Sequence, residues 1–120
     1  MEWIESSLRY LLDLHGEEIH YGDGYVTRFR VVEVERTPER PHGISYSLTL
    51  HDPSGARIMG FDNAHSVPRQ GGRRGNATAH DHWHRDSTDR GRPYAFTDAA
   101  TLVADFFDEV ERILKERGQW

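Results

Sequence analysis

"GISYSLTLHDPSGARIMGFDN", residues 43–63, holds the pattern on which the fold turns. Ile44, Tyr46, Leu48 and Leu50 take one set of alternate positions, and Ser45, Ser47, Thr49 and His51 take the other. Successive side chains of a strand project to opposite faces, so this alternation specifies an antiparallel strand buried on one side. "DPSG" (52–55) has the composition of a tight hairpin turn. "ARIMGFDNAH" (56–65) then returns as the partner strand and ends in an unusual polar run of Asp62, Asn63 and His65.

Upstream, "EEIHYGDGYVTRFRVVEVERT" (17–37) is rich in β-branched and aromatic residues and reads as strand, with "YGDGY" forming a turn before Tyr25. Its alternation slips at Val31-Val32, which predicts a bulge or burial of both faces there. "TPERPHG" (37–43) is a turn. Before these strands, Ile4, Leu8, Leu11 and Leu12 lie on one helical stripe, predicting a helix over 2–14 stopped by Gly16. Downstream, the Gly- and Arg-rich segment 66–79 is a loop, "HDHWH" (80–84) reads as extended, and "RPYAF" (92–96) as a short strand. Thr97 is a suitable N-cap for a closing helix, whose stripe of Leu102, Phe106, Val110, Ile113 and Leu114 faces inward. The expected fold is α+β: a curved antiparallel sheet of four to six strands packed against an N-terminal and a C-terminal helix, in one domain over 1–120.

Hydrophobic residues make up 36% of the 120 and aromatics 11%, enough for one core. The absence of cysteine excludes disulfides and thiolate metal sites, so any metal must be held by His, Asp or Glu. No apolar run is long enough to span a bilayer, and "MEWIESSLRYLLDLH" carries acids where a signal peptide needs bases, so a cytoplasmic protein is expected. The net charge of −5 disfavours a nucleic-acid partner, but the charge is unevenly spread. Segment 65–92 holds six arginines and four histidines against Asp81, Asp86 and Asp89, while 98–112 holds five acids against Arg112. A local basic patch attracts phosphate even on an acidic protein. The preference for arginine over lysine fits bidentate phosphate contacts, and equally a genome rich in G and C.

The motifs together resemble the TumE-type toxins of prokaryotic toxin–antitoxin systems. The resemblance rests on Phe61-Asp62-Asn63 at a strand end, His82-Trp83-His84 downstream, and Pro93-Tyr94-Ala95-Phe96 leading into the last helix. "GDGYVTRFRVVEV" and "PHGISYSLTLHD" also fit that family's hairpin region. Two departures stand out: a longer insertion from Arg69 to Ala79, and Trp83 where a basic residue is expected. The resemblance implies a small toxin that attacks RNA or translation. It also implies a cognate antitoxin, expected to be a helix-turn-helix DNA-binding protein.

Three chemistries compete at the histidines. Metal-free RNA cleavage needs a base for the 2′-hydroxyl, an acid for the departing 5′-oxygen, and cations to offset phosphorane charge. Histidine titrates in the working range. His82 and His84, on one face of an extended segment and about 6.6 Å apart, can bracket a phosphate. Asp62 would orient a histidine, Asn63 would bond phosphate or base, and Tyr94 would donate or stack. Arg73, Arg74, Arg85 and His65 are the candidate substrate contacts, and no cofactor is required. In the second reading His82, His84 and Asp62 hold a divalent metal. In the third the toxin acts by binding alone. Each residue also has a plain structural role open to it: a solvated loop histidine, an Asx-turn at Asp62-Asn63, a core anchor at Tyr94 and Phe96. His80 reads as an incidental neighbour.

Overall fold

The structure is a computed structural model that describes residues 6–38, 40–63, 67–68, 78–79, 81–86 and 91–120. The chain runs α1 (Ser6–Asp13), β1 (Glu18–Tyr21), β2 (Tyr25–Glu33), β3 (Ile44–His51), β4 (Arg57–Asp62), β5 (Val67–Pro68), β6 (Thr78–Ala79), β7 (His82–His84), β8 (Arg92–Pro93) and α2 (Ala99–Glu116). Six strands form one antiparallel sheet in the order β1-β2-β3-β4-β7-β8. The sheet is therefore a meander in chain order, from which β5 and β6 depart as a separate two-stranded pair. Both expected helices and the antiparallel sheet are present, so the α+β reading holds.

Local sequence accounts for the joints. Gly22 and Gly24 take positive φ (48° and 105°) in the turn between β1 and β2, a region that side chains with Cβ rarely enter. In the β3–β4 turn, Asp52 Oδ1 accepts from Ser54 N, Ser54 Oγ and Ala56 N, the Asx pattern that its sequence promises. Val31-Val32 carries no bulge. Pairing with β3 is continuous there, Val31 is buried and Val32 is 40% exposed. The register shift lies instead at Leu50/His51, opposite β4.

Both helices cover the same face of the sheet. α1 packs along α2 and against β2, and α2 packs against β4. Burial follows the two periodicities: Ile44, Tyr46, Leu48 and Leu50 of β3 and Leu102, Phe106, Val110, Ile113 and Leu114 of α2 meet in one core with Leu11 of α1. Phe106 sits at its centre, edge-on to Phe29 (5.6 Å) and to Phe61 (6.1 Å). α2 begins one residue later than its composition suggests. Asp98, not Thr97, is the N-cap, its Oδ1 accepting from Thr101 N at 2.8 Å. That bond holds the Asp98 carboxyl below its ordinary range.

The other face of the sheet is polar. Arg28 and Arg30 of β2, Ser45, Ser47, Thr49 and His51 of β3, Asp62 of β4 and His84 of β7 share it, with Val26 and Val32 as its apolar members. No helix among the described residues is long and apolar enough to cross a membrane.

Candidate functional site

The polar strand end of β4 is positioned by pairing with two neighbours. Register places Asp62 between Ser47 of β3 and His82 of β7, and Gly60 between Thr49 and His84. Asp62 and His84 therefore stand diagonally across adjacent strands on the polar face, and their side chains meet: His84 Nε2 lies 3.2 Å from Asp62 Oδ2. Both are buried, at 3% exposure for His84 and 5% for Asp62. An ionised carboxylate only accepts, so in this contact it is His84 Nε2 that carries the proton and donates. This is the orienter-and-base relation of hydrolytic triads.

Asn63 does something different. Its backbone N–H donates to Tyr46 O (3.2 Å), its Oδ1 accepts from Tyr46 N (2.9 Å), and its Nδ2 donates to Ile44 O (2.9 Å). The side-chain amide thus extends the β3–β4 ladder past the point where the β4 backbone leaves it. Asn63→Ala leaves the Tyr46 N–H and the Ile44 carbonyl without those partners in a buried site. We expect a loss of about 1–3 kcal/mol, read by chemical denaturation, with the activity of the folded fraction unchanged.

Tyr94 lies on the helix side of the sheet, away from Asp62 and His84. Its hydroxyl donates to Asp105 Oδ2 of α2 at 2.6 Å and its ring meets Phe61 edge-on at 5.1 Å. Burial and the Asp105 carboxylate push its pKa up, so it remains a protonated donor. Trp83 alternates with the histidines and therefore also faces the helix side, stacked on Phe61 (5.5 Å) beneath the Arg92 guanidinium (5.6 Å). An aromatic residue at that position thus completes the edge of the core rather than the polar face. Asp81, which carries no signal in the sequence, faces the same way. Its Oδ2 accepts from the Tyr46 hydroxyl at 2.8 Å, and its carbonyl accepts from Tyr94 N. Burial, with Asp81 second, raises the Tyr46 pKa.

Of the candidate residues, the structure unites Asp62 and His84, and places His82 opposite Asp62 by backbone register. The His82 side chain, His65, Arg73, Arg74 and His80 lie outside the described residues. Arg85 follows β7 and is exposed. Among the described residues no three His, Asp or Glu side chains converge as a metal set.

A sequence model described as Toxin TumE matches residues 9–114. The chain belongs to the TumE toxin family. The match takes in the whole sheet and most of α2, so the Asp62–His84 pair and the polar face around it lie within the TumE region. Membership makes the chain a toxin component and implies an antitoxin as its partner. Neither curated proteins nor solved structures gave a match.

Proposed function

We propose that this TumE-family toxin is a metal-independent ribonuclease that arrests translation by cleaving RNA in the cytoplasm. The observation that carries the reading is the buried Asp62–His84 pair on the polar face of a sheet whose other face is fully occupied by its core. In this reading the buried pair is reached by substrate on local opening of the site, and His84 then takes the proton of the attacking 2′-hydroxyl while Asp62 orients the ring and stabilises the imidazolium that forms. His82, two residues away on β7, is the partner acid that returns a proton to the departing 5′-oxygen. Cations from the arginine-rich segment and the sheet offset the charge gathered on the phosphorane.

The acidic net charge does not oppose this. Asp105, Asp108, Glu109, Glu111 and Glu116 lie on α2, which covers the helix side of the sheet and has Arg112 and Lys115 as its bases, while Arg28 and Arg30 lie on the polar side with Glu18 and Asp62. Attraction of phosphate depends on the local patch and not on the sum. The antitoxin is expected to be a helix-turn-helix DNA-binding protein encoded beside the toxin.

The test is cleavage of RNA by purified protein under chelation. Activity that survives EDTA and leaves 2′,3′-cyclic phosphate ends supports acid–base chemistry. Activity abolished by EDTA and restored by Mn²⁺ or Zn²⁺ supports the alternative in which His82, His84 and Asp62 hold the metal. Toxicity that persists in a His84 variant with RNA intact supports a toxin that acts by binding.

A further inference from the structure

The polar face is ordered into two rows by the strand register. Arg28 stands opposite Thr49, Thr49 opposite Gly60, and Gly60 opposite His84. Arg30 stands opposite Ser47, Ser47 opposite Asp62, and Asp62 opposite His82. With neighbouring strands about 4.8 Å apart, the arginines lie about 14 Å across the sheet from the histidine positions. A column of hydroxyls stands between. Gly60 contributes no side chain to its row, and a Cβ there would come within 3.2 Å of Leu48 O and Thr49 Cγ2. Gly60, Asp62 and His84 are themselves buried, so the exposed part of this face lies on β2 and, partly, β3.

At the arginine end the surface opens into a cleft of about 420 Å³, whose charged lining is Arg28 and Arg30 together with Glu17 and Glu18, beside His15 and Thr49. Its donors are only partly used. Arg28 gives Nε to Glu18 at 3.1 Å, so its two terminal nitrogens remain. Arg30 has no side-chain partner among the described residues, and Arg28 and Arg30 point the same way from alternate positions of β2. His15 Nδ1 accepts from Val31 N at 3.0 Å, which places the proton of the neutral ring on Nε2 as a further donor. The Phe, Tyr and Trp side chains of the described strands, Phe29, Tyr46, Phe61 and Trp83 among them, sit on the helix side.

We propose that this cleft binds the sugar–phosphate backbone of single-stranded RNA through the exposed guanidinium groups of β2, on the sheet face that also carries His84. The inference rests on the ribonuclease reading and deepens it. Guanidinium and hydroxyl donors match phosphate oxygens, and the absence of described Phe, Tyr or Trp platforms on this face makes the contact electrostatic rather than a stacking of bases. The cleft therefore holds substrate with little regard to base identity and with a marked salt dependence.

The test separates binding from cleavage by using a fluorescent 2′-O-methyl oligoribonucleotide, which has no free 2′-hydroxyl and cannot be cut. Anisotropy titrations compare the wild type, Arg28→Gln/Arg30→Gln, and a control of equal charge change at the end of α2, Lys115→Gln/Arg117→Gln. The arginine variant is expected to bind at least tenfold more weakly, with the salt slope shallower by about 1.4, since each phosphate neutralised on a single strand contributes about 0.7. The control stays within twofold. Binding by the arginine variant within twofold of wild type overturns the proposal, as does an equal loss in the control. If the double variant does not fold, Ser47→Glu, which sets a carboxylate opposite Arg30, carries the same expectation. Loss of antitoxin capture with oligonucleotide binding intact would make the cleft a protein-docking face instead, and overturn it. If the wild type binds but never cleaves RNA, the ribonuclease reading fails while the backbone contact stands.

Discussion

His84→Gln is expected to lower the rate of RNA cleavage by about 10²–10⁴-fold, the usual contribution of one general acid–base group. Glutamine is the informative replacement because its terminal amide can still donate to Asp62 from about the place of Nε2, yet it cannot take up a proton. The buried carboxylate keeps that partner, so the fold should survive. His84→Ala removes the partner as well, and breaking a buried pair this way costs about 3–5 kcal/mol. The resulting drop in activity would then mix chemistry with unfolding. Steady-state cleavage of a short oligoribonucleotide should show kcat falling while KM holds, since His84 acts on the proton and the arginine cleft holds the strand. A variant whose KM rises with kcat unchanged would place His84 in binding instead.

The largest effect on stability is expected at Phe106. Its ring is fully buried and touches Phe29, Phe61 and Phe107 at once, so it ties α2 to β2 and β4. Phe106→Ala removes that packing and leaves a cavity that the sheet on one side and α1 on the other restrict from closing. The cost is about 3–5 kcal/mol, which for a chain of this size lowers the melting temperature by roughly 10–20 °C. Phe107, next in sequence but half-buried, should lose much less on the same change. Paired thermal melts check both, and equal losses at the two positions would contradict this picture of the core.

Much of this fold was legible because one face of each element is buried and the other is not. The alternation of β3 and the stripe of α2 survive in the structure residue for residue. Where the sequence misleads, a local cue has two physical outcomes. Thr97 and Asp98 are both competent caps, and the choice falls to the residue whose carboxylate reaches Thr101 N. Val31-Val32 breaks the apolar alternation, yet an isolated exposed valine costs little and needs no bulge to accommodate it.

The site was legible only in part, because its contacts are not local. Asp62 and His84 are 22 residues apart and meet through pairing of β4 with β7, which no spacing rule encodes. Asn63 carries a motif-like signature beside Asp62, but its amide is spent on backbone groups 17 and 19 residues earlier. Tyr94, close to the histidines in sequence, ends on the opposite side of the sheet. Arg28 and Arg30 are plain in the sequence as the outward residues of "RFR". The crowding of arginine in 69–92 draws attention to cations beside the histidines in the chain, whereas Arg28 and Arg30 share their face from three strands away.

The central claim is most directly tested by incubating RNA with the purified toxin in excess EDTA, beside His84→Gln, and analysing the ends produced. The expected result is cleavage by the wild type with 2′,3′-cyclic phosphate ends and intact RNA with the variant. Intact RNA in both, or equal cleavage in both, would contradict it.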